Sequence, residues 1–132
     1  MIILAALALA TVQAEEKPNC DDPKSQPEMN ACAFAAYEVA DAAMNRQWKP
    51  LLAKMKERDT DFDREFDKGP SYVDAMMASQ RSWLAFRDAN CVPEGYFARG
   101  GSMEPMVVGN CLEQVTIART KQLHELLEMY EL

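Results

Sequence analysis

The sequence predicts an all-α protein, a small antiparallel three-helix bundle with two disulfides. Apolar residues recur at helical spacing in three long segments, and no segment shows the alternation of a half-buried strand. Four cysteines, an even number, lie far apart along the chain. A length of 132 residues is enough for one domain with one hydrophobic core.

The first fourteen residues, MIILAALALATVQA, are an apolar run that ends in the small residues Val12 and Ala14. The run is too short to cross a bilayer as a helix, so it predicts a secretory signal peptide. No Lys or Arg precedes this run, so either the n-region of the signal peptide lacks its usual positive charge or the true start lies upstream. We therefore expect a signal peptide at 1–14, a single helical domain at 15–132, a periplasmic or secreted location and no membrane attachment after cleavage.

The first helix is predicted from about Pro27, through EMNACAFAAYEVADAAMNRQW, a segment rich in Ala and Met and free of Gly. Proline suits the first turn of a helix, where its missing N–H has no intrahelical partner. Pro50 falls inside the same apolar pattern and clashes with the preceding turn. The sequence therefore predicts a first helix that is kinked or broken near Pro50.

The second helix is predicted to begin after Gly69-Pro70-Ser71, with Ser71 as its N-cap, and to run to about Cys91. The segment VPEGYFARGGSMEP holds three glycines and two prolines, which is typical of a loop. The third helix is predicted to start between Glu104 and Asn110 and to continue to the C-terminus.

The cysteine spacing predicts disulfides rather than a metal site. Cys20, Cys32, Cys91 and Cys111 contain no C-x-x-C pair, which argues against zinc and against a thioredoxin-like redox motif. In a small exported domain such cysteines form disulfides. Three connectivities are open. The local pairs, Cys20 with Cys32 and Cys91 with Cys111, are favoured because each joins a loop to a helix end.

Charged and amide side chains fall on faces that are otherwise apolar. In QRSWLAFRDANC, Gln80 and Arg87 lie on the apolar side of the helical wheel. Arg119 lies in the middle of the apolar face of the third helix. Leaving such charges buried and unpaired is strongly destabilising. We therefore predict a buried polar network in which the Asp41 carboxylate pairs with Arg87 or Arg119. Its five members are Asp41, Asn45, Gln80, Arg87 and Arg119. A structural role is favoured over a catalytic one.

The remaining polar residues predict no catalytic residue, no metal and no cofactor. His124 is the only histidine and has no second ligand at helical spacing. Ser102 follows two glycines but lies outside any G-x-S-x-G elbow.

The net charge of −7 makes nucleic acid a poor partner and favours a basic one, although the same charge also serves solubility.

Four segments resemble the DUF1311 domain, also called the lysozyme inhibitor LprI-like N-terminal domain. They are A-D-x-x-M-N from Ala40, Q-R-x-W-L-x-F-R-D-x-x-C from Gln80, G-G-S from Gly100, and C-x-x-x-x-T-x-x-R-x-x-x-L from Cys111. The resemblance covers roughly Cys20 to Leu126. Pro50 departs from the family pattern, which runs uninterrupted through the end of the first helix.

The resemblance implies a small exported, disulfide-bonded helical protein of bacterial type that inhibits lysozyme, with a basic lysozyme-type muramidase as its protein partner. The residues that match the family pattern are Asp41, Asn45, Trp83, Arg87, Cys91, Gly100, Gly101, Ser102, Cys111 and Arg119. Most of them fall at positions that the helical wheel assigns to the scaffold.

The Cys91–Cys111 loop is the candidate partner-binding segment, because it combines aromatic side chains with a glycine-rich backbone and is closed by the favoured disulfide. Its candidate contact residues are Tyr96, Phe97, Arg99, Gly100, Gly101 and Ser102. The leading hypothesis is an exported helical binding module that inhibits lysozyme through this loop. The alternative is an envelope structural or stress-associated protein with no enzyme target, in which the loop is only a connector.

Overall fold

The computed structural model describes residues 18–132, so the signal peptide predicted at 1–14 lies outside the described residues. Within them the protein is all-helical and has no strand. It consists of α1 (Gln26–Asp59), α2 (Tyr72–Gly95), a short 3-10 helix (Tyr96–Ala98) and α3 (Glu104–Glu131). The predicted fold class is confirmed. No helix among these residues has the length and apolar character needed to cross a membrane.

The first helix begins with a capping box. The Ser25 hydroxyl accepts a hydrogen bond from the Glu28 backbone N–H, and the Glu28 carboxylate accepts one from the Ser25 N–H. Two of the N–H groups that a helix start leaves unpaired are satisfied in this way. Pro27 lies in the first turn, as predicted.

The expected break near Pro50 does not occur, because α1 continues through this residue to Asp59. Pro50 is exposed, whereas Met44, Leu51 and Met55 are buried on the opposite side of the helix. The carbonyl that loses its helical partner belongs to Arg46, which is exposed, so this polar group is not left buried without a partner. Burial on both sides of the proline therefore holds the helix together.

The second helix starts where predicted and ends one turn later than predicted. The Ser71 hydroxyl accepts from the Asp74 N–H, and the Asp59 carboxylate accepts from the N–H groups of Tyr72 and Val73. The helix then runs past Cys91 and through Pro93 to Gly95. Gly95 explains the extension.

A Cβ atom at Gly95 would lie 2.4 Å from Cγ2 of Val108, so the last turn of α2 packs directly on α3. This packing, which depends on the tertiary fold, outweighs the local signals that predicted a loop from Val92.

The first and third helices run parallel, and α2 runs antiparallel to both. Asn30 near the start of α1 donates to the carbonyl of Ser102, just before α3, and Arg58 near the end of α1 donates to the carbonyl of Tyr130. The two parallel helices pack most extensively, and a Cβ at Gly109 of α3 would lie 3.0 Å from Cβ of Ala33. Small residues permit this close approach.

The hydrophobic core lies in the half of the bundle that is remote from the α2–α3 connection. Its buried members are Met44, Leu51, Met55, Met76 and Leu123. Aromatic side chains that include Trp48, Tyr72, Trp83 and Tyr130 pack around them. In the opposite half the buried apolar residues are alanines and disulfide-bonded cysteines, so covalent links supply part of the stability that burial supplies elsewhere.

Candidate partner-binding site

Both disulfides lie at the end of the bundle that carries the α2–α3 connection. Cys20 pairs with Cys32 and Cys91 pairs with Cys111, with Cα–Cα distances of 5.5 and 5.6 Å, which confirms the local connectivity. The first ties the segment before α1 to that helix, and the second joins the end of α2 to the start of α3. We call this region the stapled end; it comprises residues 18–32 and 88–111.

The connection between α2 and α3 is a compact turn and is shorter than the predicted loop of 92–105. The Tyr96 carbonyl accepts from the Arg99 N–H, and the Ala98 carbonyl accepts from the Gly101 N–H at 2.9 Å. Gly100 has φ of 77°, a conformation that residues with a Cβ adopt only at a cost, and its N–H donates to the Glu104 carboxylate. These local bonds give the turn a defined shape.

The aromatic side chains of the turn point largely into solvent. Phe97 is 86% exposed and Tyr96 is 45% exposed. The Arg99 guanidinium covers one face of the Tyr96 ring, with its central carbon 4.2 Å from the ring centroid. The Ser102 carbonyl accepts from Asn30, which anchors the turn to α1. Phe97 is therefore an apolar ring presented to solvent on a fixed backbone.

Arg87 is the buried member of the predicted polar network. Its Nη1 donates to Asp41 at 2.9 Å, and its Nε donates to the neighbouring Asp88 at 2.9 Å. The guanidinium also lies 5.2 Å from the Tyr37 ring centroid and 5.4 Å from that of Trp83. Burial alone would lower its pKa, but the bonds to Asp88 and Asp41 outweigh burial, and the pKa of Arg87 is raised.

Arg119 has different partners from Arg87. Its Nε donates to Gln80 at 3.1 Å and its Nη2 to Ser79 at 3.0 Å. Burial lowers the pKa of Arg119, and no carboxylate between residues 18 and 132 forms a salt bridge with it that would raise the pKa again. Its guanidinium lies 5.7 Å from the Trp83 ring, so this one indole contacts both guanidiniums.

The prediction of a single buried network needs correction. Asn45 is exposed and donates to Asp41, whose side chain is 33% exposed. The five side chains form two hydrogen-bonded groups, Asn45–Asp41–Arg87 and Gln80–Arg119, and Trp83 contacts a guanidinium of each. The physical reason is that α1 and α2 pack loosely. A groove of about 400 Å³ between them admits water to Asp41 and Asn45.

The cluster joins α1 to α2 through Asp41 and Arg87, and α2 to α3 through Gln80 and Arg119. Nε and Nη1 of Arg87 both donate to carboxylates, and no His, Cys or Ser within residues 18–132 is among its hydrogen-bond partners. His124 is an exposed residue beside Glu128, 3.4 Å away. In the part of the chain from 18 to 132, no three His, Cys, Asp or Glu side chains are grouped so as to hold a metal ion.

The sequence reasoning missed a separation of charge along the bundle. The half that contains the stapled end, residues 18–41 and 84–114, carries nine acidic and three basic side chains, a net charge of −6. The remaining half, residues 42–83 and 115–132, carries ten of each and is neutral. We call the first of these the acidic half. The asymmetry emerges only when the helix directions are known, because its two segments are far apart in sequence.

Comparison with known proteins identifies the family. A family described as "Lysozyme inhibitor LprI" matches residues 20–123. An uncharacterized protein of Rhizobium meliloti (strain 1021) is 37% identical over 130 residues, which are 98% of this chain and 93% of that protein. No solved structure matches the chain at a significant level. Two disulfides in a chain of this family indicate an extracytoplasmic protein. By this match, the chain belongs to the lysozyme inhibitor LprI family.

Proposed function

We propose that the protein is an exported inhibitor that binds a basic lysozyme-type muramidase through the turn from Tyr96 to Ser102. The observation that carries this proposal is Phe97, an aromatic side chain that is 86% exposed on a turn held between two helices. Exposed rings of this size contribute little to folding. They are common at the centres of protein interfaces, where their burial supplies much of the binding energy.

The turn is preorganised for binding. The Cys91–Cys111 disulfide closes the segment, and hydrogen bonds from Gly101 to Ala98 and from Asn30 to Ser102 fix its backbone. A segment that is already ordered loses less conformational entropy when a partner binds. We propose that the exposed aromatic ring and the glycine backbone enter the substrate cleft of the muramidase.

The charge of the acidic half suits a basic partner. A net charge of −6 on the half that carries the turn, against zero on the other half, orients the approach of a cationic protein towards the turn. Such complementarity raises the association rate and weakens with ionic strength.

A structural role in the envelope is the second candidate. Trp83, Arg87, Cys91 and Cys111, which match the family pattern, all serve helix packing or cross-linking in this structure. The residues that define the family pattern therefore maintain the fold. A structural protein would need the same residues, so the pattern does not by itself favour an inhibitor.

A cell-wall turbidity assay separates the two candidates. Mature protein is titrated into a purified, basic c-type lysozyme, and lysis of bacterial cell walls is followed by light scattering. We expect inhibition that approaches completion near equimolar protein at low salt and weakens at high salt. Full lysozyme activity at a large molar excess of folded protein would reject inhibition of this enzyme and favour the structural role.

A further inference from the structure

We infer that the groove between α2 and α3, beside the turn, is a second contact site that takes a lysine or arginine side chain of the partner. This inference rests on the proposed function and deepens it, because it assigns a recognition site outside the turn to the same basic partner. The groove has a volume of about 260 Å³. It is lined by Glu94, Val107, Asn110, Cys111, Gln114 and Val115.

The lining matches the two parts of a long basic side chain. Val107 and Val115 give the groove an apolar wall, and Glu94 places a carboxylate at its edge. Lysine and arginine bury their aliphatic stems against apolar surface while the charged head stays near water. In this groove the stem would lie along the valines and the cation would meet Glu94.

Glu94 is available for such a contact. It is exposed, and its one hydrogen-bond partner within residues 18–132 is the amide of Asn90 at 3.4 Å. No Lys or Arg in this part of the chain forms a salt bridge with it. Arg99, the basic residue of the turn, stacks on Tyr96. The groove therefore has a carboxylate without a cation of its own.

Two exposed aromatic residues flank Glu94 in sequence, one in α2 and one in the turn. Phe86 is 56% exposed and Phe97 is 86% exposed. Phe86 precedes Glu94 by eight residues of α2, a little over two helical turns, which places it about 12 Å from Glu94 along the helix axis, and Phe97 follows in the 3-10 helix. Phe86 lies one turn before Asn90, whose amide is 4.0 Å from Sγ of Cys111 on α3. This side of α2 therefore borders the groove.

Charge complementarity selects the occupant. Both phenylalanines and every groove residue except Val115 lie in the acidic half, with its net charge of −6. An apolar surface next to an unpaired carboxylate in such a field favours a basic side chain of a folded, cationic protein over an acidic or neutral segment. The interface then consists of Phe97 as anchor, Phe86 at the far edge and Glu94 between them.

The test compares matched variants in their affinity for the same c-type lysozyme, measured by titration calorimetry at low salt. Glu94→Gln removes the groove carboxylate, and Glu65→Gln removes an exposed carboxylate from the neutral half. Phe86→Ser removes the edge aromatic, and Met129→Ser removes an apolar side chain that is 69% exposed at the far end of α3.

We expect Glu94→Gln to weaken binding by about tenfold or more and to reduce its salt dependence, and Phe86→Ser to weaken it similarly. The two control variants should bind as the wild type does. Thermal melts of all four variants check that they fold. We expect melting temperatures close to that of the wild type, because each substitution is at an exposed position.

Affinities for Glu94→Gln and Phe86→Ser that equal those of their controls would overturn this inference. In that case the proposed function would still stand, provided that the wild type binds lysozyme and that substitution of Phe97 abolishes binding. Failure of the wild type to bind would overturn both proposals. Loss of binding by all four variants would also reject the groove, because the effect would not depend on position.

Discussion

Arg87 of α2 donates from Nη1 to Oδ1 of Asp41 on α1 at 2.9 Å, and this ion pair links two helices that otherwise pack loosely. The Arg87 guanidinium is buried between Tyr37 and Trp83, whereas Asp41 lies at the edge of a groove. The two partners therefore differ in how much they depend on each other. Arg87 also has Asp88, while Asp41 has, among residues 18–132, the amide of Asn45 as its one side-chain partner besides Arg87.

Substitutions of this pair should destabilise the protein unequally and without full additivity. Arg87→Ala empties the space between two aromatic rings and removes two ion pairs, so we expect a loss of about 3 kcal/mol of unfolding free energy. Asp41→Ala should cost about 1 kcal/mol, because Arg87 keeps Asp88 and Asp41 is partly solvated. The double variant should cost less than the two losses together, as measured by urea unfolding. Full additivity would show that the pair is not coupled.

The two disulfides should differ in how readily a thiol reductant reaches them. Cys91 and Cys111 are buried at 0% and 5% exposure, whereas Cys20 is exposed. Mild reduction followed by alkylation and mass spectrometry should therefore label Cys20 and Cys32 first. Replacing Cys91 and Cys111 by Ser should cost about 2–4 kcal/mol of stability. Labelling of Cys91 and Cys111 first, in protein that is still folded, would contradict the arrangement described.

Gly109 should tolerate no larger side chain. A Cβ there would lie 3.0 Å from Cβ of Ala33 and 3.1 Å from its carbonyl carbon, so Gly109→Val would force α1 and α3 apart. We expect a loss of about 1–3 kcal/mol, measured by thermal or urea unfolding. Ala118→Val, at an exposed position of the same helix, is the control and should cost less than about 0.7 kcal/mol. Equal losses of stability in both variants would show that α1 and α3 do not pack closely at Gly109.

Phe97 should matter for binding and not for folding. Phe97→Ser should abolish lysozyme inhibition while changing the melting temperature by less than about 3 °C, because the ring is 86% exposed. Phe66→Ser is the matched control, since Phe66 is 89% exposed and lies in the neutral half. Phe66→Ser should leave inhibition intact.

Trp83→Ala should instead cost about 3 kcal/mol of stability, because its ring packs against two guanidiniums.

A large loss of stability in Phe97→Ser would show that the turn is part of the core. A loss of inhibition in Phe66→Ser as large as that in Phe97→Ser would show that inhibition depends on exposed aromatic surface in general. Either result would remove the turn as the binding element.

Local sequence signals predicted most of the fold. The Ser71 cap, the proline in the first turn of α1 and the local pairing of cysteines depend on residues that are close in sequence. The capping box at Ser25 and Glu28 has the same local nature and could have been recognised from its S-x-x-E spacing. Such features require no knowledge of how the helices meet.

The two internal prolines were harder to interpret, because tertiary packing decides whether a helix continues. Leu51 and Met55 keep α1 helical beyond Pro50, and contact with Val108 keeps α2 helical beyond Pro93. Neither contact is visible in a single segment. For the same reason, sequence alone left two possible partners for Asp41, and only the structure shows Arg87 in that place.

The candidate site was only partly accessible to sequence reasoning. Glycines and aromatic residues mark the turn, but the groove beside Glu94 and the acidic half both require that α2 and the start of α3 lie side by side. Phe86 illustrates the difficulty. On a helical wheel it is one apolar residue among several, and its 56% exposure becomes evident only in the folded chain.

Hydrogen–deuterium exchange of the protein with and without bound c-type lysozyme tests the central claim most directly, namely that the turn from Tyr96 to Ser102 is the binding element. We expect lysozyme to slow exchange in peptides that cover 92–104 and to leave the connector at 60–70 unchanged. Slower exchange at 60–70, with no change at 92–104, would contradict the account.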